Sequence, residues 1–178
     1  DKLIDFCKTQ KVEVLVLVNP NNPTGTMISK TDVERLIAAV PSSVIIVLDS
    51  AYAEYVPLDE AEYTDGASYV ERHDNVVMLR TFSKMFALGA LRLGWGYFPP
   101  QIMSVLASIR GPFSVNAAAA AAGVAAVGDT SFFERSLDHN EKYMPLMMAS
   151  ETLLCLFLAQ AMCMTYLSCL RKILSSMK

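Results

Sequence analysis

Paired cysteines, basic clusters and repetitive tracts are all missing from this chain, and each absence excludes a class of protein. The four cysteines, Cys7, Cys155, Cys163 and Cys169, form no CxxC pair, and the opening residues do not read as a secretory signal. A disulfide scaffold is thereby excluded, and reduced thiols in a cytoplasmic setting are expected. Only two histidines occur, His73 and His139, both in polar surroundings, so no metal site is expected. Charge is sparse and scattered, with 15 Lys+Arg against 18 Asp+Glu and a net charge of -3. That distribution offers no electrostatic footprint for a nucleic-acid backbone. What remains is globular in composition: 178 residues, 53% hydrophobic, 9% aromatic, long enough for one sizeable core or a large piece of a bigger one.

Four short apolar runs read as strands. Val12 to Val18 feeds the turn-forming series Asn19-Pro20-Asn21-Asn22-Pro23-Thr24-Gly25; Val44 to Leu48 ends at Asp49; Asn75 to Arg80 precedes Thr81-Phe82-Ser83-Lys84; Leu93 to Phe98 forms the fourth. Between the first two, Ser29 stands three residues before Asp32 as a capping box, and Val33, Leu36, Ile37 and Val40 mark one face of a helix. Ile102, Val105, Leu106 and Ile109 mark another helical face, and the alanine-rich run from Asn116 to Val127 is expected to be a buried helix. Trp95, Tyr97 and the Ile109 helix are read as core, and His139 lies on an exposed helix with Glu134, Arg135 and Glu141.

Continuous apolar strands separated by helices predict the α/β class, with a mostly parallel sheet covered on both faces. Ligands of such sheets bind beyond the carboxyl ends of the strands. Asn22, Asp49 and Lys84 each follow a predicted strand, so three groups of complementary chemistry converge on one edge. A lysine there can act as a Schiff-base nucleophile, an acid can hold a protonated ring nitrogen, and an Asn and a Tyr can bind a phenolic oxygen. Taken singly, each has an ordinary alternative: a solvated lysine, a turn aspartate, a surface ion pair for Arg92 and turn chemistry for Thr81 and Ser83.

Together, the Asn19 to Gly25 series, Leu48-Asp49-Ser50-Ala51-Tyr52 and Thr81-Phe82-Ser83-Lys84 with Arg92 eight residues on resemble the ordered signature of class I/II aminotransferases of pyridoxal phosphate (PLP) fold type I. Glu54-Tyr55, the stretch from Arg80 to Tyr97 and Ile109-Arg110-Gly111-Pro112-Phe113 most resemble histidinol-phosphate aminotransferases. The resemblance spans residues 10 to 145 and implies the large PLP-binding domain, incomplete, with a mixed sheet sandwiched by helices.

The resemblance implies roles residue by residue. Lys84 would hold the cofactor PLP covalently and shuttle a proton; Asp49 would face the pyridine nitrogen; Asn22 and Tyr52 would bind the ring oxygen, across an Asn22-Pro23 bond that is a candidate for cis. Thr81, Ser83 and Arg92 would form the phosphate cup. Lys84, Asp49 and Tyr52 are thus the catalytic set. Implied partners are a small-molecule amino donor, L-histidinol phosphate, a 2-oxo acid such as 2-oxoglutarate, and a second subunit in a homodimer. Aromatic amino acids as further substrates, a related PLP aminotransferase or decarboxylase, and an inactive fragment of such an enzyme are the alternatives.

Two edges of the sequence stand out. Asp1 falls inside what reads as a helix tail, so a preceding portion is expected. From Leu146 onward the chain carries three of its four cysteines and five of its ten methionines, and Thr152 to Leu170 holds no charge. Residues 1-145 are therefore taken as a partial PLP-binding domain and 146-178 as a divergent hydrophobic tail. A membrane helix, weakened by Gln160, Thr165 and Ser168, a buried helix, and sequence foreign to the family through a shifted frame or altered splicing are the three readings of that tail, and the last is preferred.

Overall fold

A computed structural model describes residues 1–57 and 60–146. Its elements in chain order are α1 (Lys2–Thr9), β1 (Val14–Val18), α2 (Lys30–Ala39), β2 (Ile45–Asp49), α3 (Ala67–Val70), β3 (Val76–Thr81), β4 (Gly94–Tyr97), α4 (Pro100–Ile109) and α5 (Ala117–Gly128). All four expected strands form. They join in the order β1-β2-β3-β4, the first three parallel and β4 antiparallel to β3. The sheet is therefore mixed, and the three parallel strands deliver their carboxyl ends to one edge.

Local chemistry accounts for α2. Ser29 Oγ accepts the Asp32 backbone N–H at 3.1 Å and caps the helix, while Val33, Leu36 and Ile37 within it and Val40 just past its end are all buried. These side chains pack with Cys7, Leu15, Leu17, Ile46, Leu48, Tyr69, Val70, Val76 and Met78 into one cluster on one face of the sheet. Ile46 and Val76 at its centre are fully buried, and each contributes about 1.5–3 kcal/mol of apolar transfer. Gly66 opens α3 at φ +93, where a side chain would be strained and would also strike Leu48.

Burial differs from the expectation on the other face. Strand β1 alternates, with Leu15 and Leu17 buried but Val14 52% and Val16 57% exposed, because no described element packs over its second face. The α5 helix forms where expected but buries only Ala119 and Gly123, and Val124 is 79% exposed. Gly123 is the contact point: a side chain there would meet Leu93 Cδ2, and Phe82 lies just beyond. The remaining α5 side chains are alanines and glycine or point away from that single contact. Trp95, Tyr97 and Ile109, expected in the core, are exposed for the same reason, lying on surfaces that described residues leave uncovered.

The chain divides into two compact units, Asp1–Phe133 and Glu134–Lys178. In the second, residues 134–146 are helical, His139 is exposed, and its ring lies 4.5 Å from that of Tyr143. The hydrophobic span expected to be a divergent tail lies, apart from Leu146, outside the described residues. Among the described residues no helix is long and apolar enough to cross a membrane.

Candidate functional site

The sheet edge at the carboxyl ends of β1, β2 and β3 gathers the predicted residues. The β1 end is closed by Asn19, 4% exposed, whose side chain accepts the Ile28 N–H at 2.8 Å and donates to the Ile28 carbonyl at 3.0 Å. This pair of hydrogen bonds clasps the ends of the loop 19–28, which carries Asn22. Both Asn19-Pro20 and Asn22-Pro23 are cis. Asp49 ends β2, paired with Val18 on one side and Leu79 on the other, and its carboxylate accepts the Ala51 N–H at 3.1 Å. That bond turns the chain into the 3₁₀ segment Ala53–Tyr55, which carries Tyr52 at its start.

Asn22 Nδ2 donates to Tyr52 Oη at 2.6 Å. Lys84 Nζ stands 5.1 Å from the centre of the Tyr52 ring. Burial alone would raise the Tyr52 phenol, but the Lys84 ammonium and the Asn22 amide beside it outweigh both burial and the Asp49 charge, and the net direction is below the ordinary 10.0. Tyr55, its ring 6.4 Å from that of Tyr52, moves the opposite way, raised by burial and then by the Glu54 and Tyr52 charges.

The segment bearing Lys84 is anchored by apolar side chains on either side of it. Met85 is 1% exposed, Phe82 and Phe86 lie 5.0 Å apart, and Phe86 meets Phe133 at 6.1 Å. Lys84 itself is exposed. Thr81 Oγ1 accepts the Ser83 N–H at 3.0 Å, and Arg92, in the left-handed region at φ 55, folds its Nη1 onto the Gly89 carbonyl at 2.7 Å and Ser83 Oγ at 3.5 Å. The predicted residues thus form two groups, Asn22–Tyr52–Lys84 with Asp49 and Thr81–Ser83–Arg92, joined through the short link Ser83-Lys84. The first offers an amine, a carboxylate and two neutral hydrogen-bonding groups; the second offers hydroxyls and a guanidinium, suited to an anion.

Beneath this edge lies a set of groups given no part in the sequence reading of the site. Arg80 binds Glu54 Oε1 at 2.7 Å and Asp65 at 2.9 Å, and its guanidinium lies 5.7 Å from the Trp95 ring. Glu54 Oε2 is buried without a partner among the described residues. Tyr63 Oη donates to the Asn19 carbonyl at 3.3 Å, and burial pushes its phenol up to about 12. The paired charges of Arg80, Glu54 and Asp65 come from three separate segments, so no local spacing in the sequence announces them. Among the described residues no group of three His, Cys, Asp or Glu side chains is placed to hold a metal ion.

Comparison with known proteins places the chain in a family. A histidinol-phosphate aminotransferase from Granulibacter bethesdensis is 51% identical over 140 residues, 79% of this chain and 37% of that protein. One from Paramagnetospirillum magneticum is 47% identical over 137 residues, 77% of this chain and again 37% of its own length. The chain therefore spans well under half the length of the curated relatives it matches. The fold matches the crystal structure of histidinol-phosphate aminotransferase from Sinorhizobium meliloti in complex with pyridoxal-5'-phosphate, with a TM-score of 0.75 at 24% identity over 84% of this chain and 41% of that one. The sequence model of aminotransferase class I and II matches residues 1–170, running past the boundary expected at Pro145, and the chain belongs to that family.

Proposed function

We propose that this chain carries the cofactor half-site of a PLP-dependent transaminase whose amino donor is L-histidinol phosphate and whose acceptor is 2-oxoglutarate. The observation that carries the reading is the meeting of Asn22, Tyr52 and Lys84 at the parallel-strand edge, with the Asn22–Tyr52 hydrogen bond at 2.6 Å and the Lys84 amine over the same ring. The donor set fits the cofactor: one primary amine for its aldehyde, one carboxylate for its ring nitrogen, an amide and a phenol for its ring oxygen, and hydroxyls with a guanidinium for its phosphate. The naming of the relatives as histidinol-phosphate aminotransferases supports the substrate choice.

The bound cofactor supplies an aldehyde that takes the amino group and a ring that draws electrons from the substrate α-carbon. Lys84 Nζ would hold the cofactor through its aldehyde carbon and, once displaced by the substrate amine, would take the proton from the substrate α-carbon and deliver it to that same cofactor carbon. Asp49 holds a proton on the ring nitrogen, which keeps the ring an acceptor of electrons. Asn22 and Tyr52 orient the ring through its oxygen and keep their own hydrogen bond to each other as the frame. Thr81, Ser83 and Arg92 hold the phosphate, with Arg92 already folded toward Ser83 by its backbone. Residues 1-145 serve as the cofactor-binding part and residues 146-178 as a separate segment, and the working enzyme is a homodimer, which a sizing measurement tests.

The experiment is covalent trapping. The chain is mixed with pyridoxal phosphate, reduced with borohydride, and mapped by peptide mass spectrometry, with Lys84→Ala as control. Selective labelling of Lys84 supports the reading; no labelling, or labelling spread over many lysines, overturns it for this chain.

A further inference from the structure

Arg80 sits one residue past Leu79, the strand partner of Asp49, so side-chain alternation turns it to the opposite face of the sheet from Asp49. From that face it reaches two turns that the chain visits at very different points. Its Nε and Nη2 both donate to Glu54 Oε1, at 3.3 and 2.7 Å, and its Nη1 donates to Asp65 Oδ2 at 2.9 Å. Trp95, opposite Arg80 on β4, lies against the guanidinium. The side chains of Arg80 and Glu54 are only 14% and 7% exposed, so this pair is shielded from water and held by geometry rather than left to sample rotamers. Glu54 belongs to the 3₁₀ segment immediately after Tyr52. Asp65 belongs to the turn that Ser50 Oγ also grips, through the Asp65 carbonyl at 2.8 Å. Arg80 therefore bolts the strand leading to Lys84 to the turn that bears Tyr52, from behind the site and without entering it.

We propose that Arg80 is a positioning residue: by gripping Glu54 and Asp65 from the back of the sheet it sets the separation of Tyr52 from Lys84. The role given to those two residues rests on the function proposed above, whereas the bolt itself is a property of the chain without cofactor. Apolar packing of Met85 and Phe86 fixes Lys84 independently. On the Tyr52 side the apolar anchor among the described residues is smaller: Ala53 is buried but Tyr52 and Tyr55 are only half-buried, so the Glu54 grip acts together with the Asp49 turn bond and the Asn22 bond.

The Tyr52 phenol reports on its own placement. It faces the Lys84 ammonium from the β3 loop, the Asn22 amide from the β1 loop, the Asp49 carboxylate from β2 and Tyr55 from its own turn. Its ionisation is isolated as the difference in tyrosinate absorbance between a protein and the same protein carrying Tyr52→Phe, on the full 178-residue chain without cofactor. Two mild variants cut the bolt: Arg80→Lys, which keeps the charge but loses the fork, and Glu54→Gln, which keeps the shape but loses the charge. Asn75→Ala is the control for plain loss of stability, since Asn75 Nδ2 ties β3 to the Val44 carbonyl at 2.8 Å at the far end of the strands.

In both bolt variants Tyr52 is expected to titrate higher, toward the ordinary phenol value of 10.0, and in Asn75→Ala it stays where it is in the parent. If Arg80→Lys loses its circular dichroism, Glu54→Gln decides. An unmoved Tyr52 titration in a folded bolt variant overturns the proposal, as does a Tyr52 that already titrates normally in the parent. Failure of Lys84 to take up pyridoxal phosphate would sink the function proposed above and leave this titration unaffected.

Discussion

Asn22 and Tyr52, thirty residues apart in sequence, share a hydrogen bond of 2.6 Å across the ends of β1 and β2. Because both are accessible to water, the bond adds little to folding, and its effect falls on whatever binds beside it. Tyr52→Phe is therefore expected to leave the thermal midpoint nearly unchanged. It should weaken pyridoxal phosphate binding about two- to tenfold, the equivalent of one hydrogen bond of about 0.5–1.5 kcal/mol. Titration of Lys84 labelling against cofactor concentration reads that change directly.

Asp49→Asn separates binding from chemistry. The amide fills the same space and still accepts the Ala51 N–H that forms the turn, so Lys84 should remain open to labelling. It cannot hold a proton on a ring nitrogen as a carboxylate does, and the proton transfers should slow by about 10²-fold or more. Single-turnover conversion of histidinol phosphate, the substrate of the function proposed above, compared with labelling on the same sample, gives both numbers.

Asn19→Ala removes the clasp on Ile28 and leaves a partly buried N–H and carbonyl without that partner. Each such loss costs about 1–3 kcal/mol, so the urea midpoint should fall markedly. Cofactor labelling should weaken as well, since the clasp closes the loop on which Asn22 rides.

Alkaline pH should unfold the chain earlier than its composition suggests. Tyr63 and Tyr69 are raised in the folded state to about 12, both mainly by burial, whereas in the unfolded chain each ionises near 10.0. The stability they contribute is complete below pH 10 and is lost as pH rises from there toward 12. The slope is up to about 1.4 kcal/mol per pH unit for each tyrosine. Tyr63→Phe should flatten that slope, measured by urea midpoints at successive pH values.

Gly66→Ala should destabilise by about 2 kcal/mol or more. It combines a left-handed backbone with a methyl group driven into Leu48. Shortening Leu48 to Ala in the same chain removes the collision but not the backbone strain, so the double variant should lose less than the sum of its parts.

The strands and α2 were legible because their signals are local: apolar runs bounded by turn residues, and a serine cap followed by Val33, Leu36 and Ile37 at helical spacing. The convergence of Asn22 and Lys84 on Tyr52 followed from strand ends sharing one edge. Burial was less legible. A run such as VEVLVLV carries apolar side chains on both faces, and whether Val14 and Val16 are covered depends on neighbours that the run does not encode. The bolt under the site escaped notice because Arg80, Glu54 and Asp65 meet only after folding. Asn19 escaped as well, one of three asparagines in a turn series where the residue type alone does not say which one is buried.

The alternation along β2 ties two properties of the chain to a single choice. Ile46 and Leu48 face the core, so Ile45, Val47 and Asp49 necessarily face the other way, Val47 and Asp49 locked in register to partners on both β1 and β3 and Ile45 to Val14 on β1. Water's exclusion from the leucine is thus what aims the carboxylate. A single-residue insertion or deletion within β2 would exchange the two faces, burying Asp49 and lifting Leu48 into the site. A point substitution along this strand changes one side chain, whereas a change in its residue count moves every side chain beyond it to the other face.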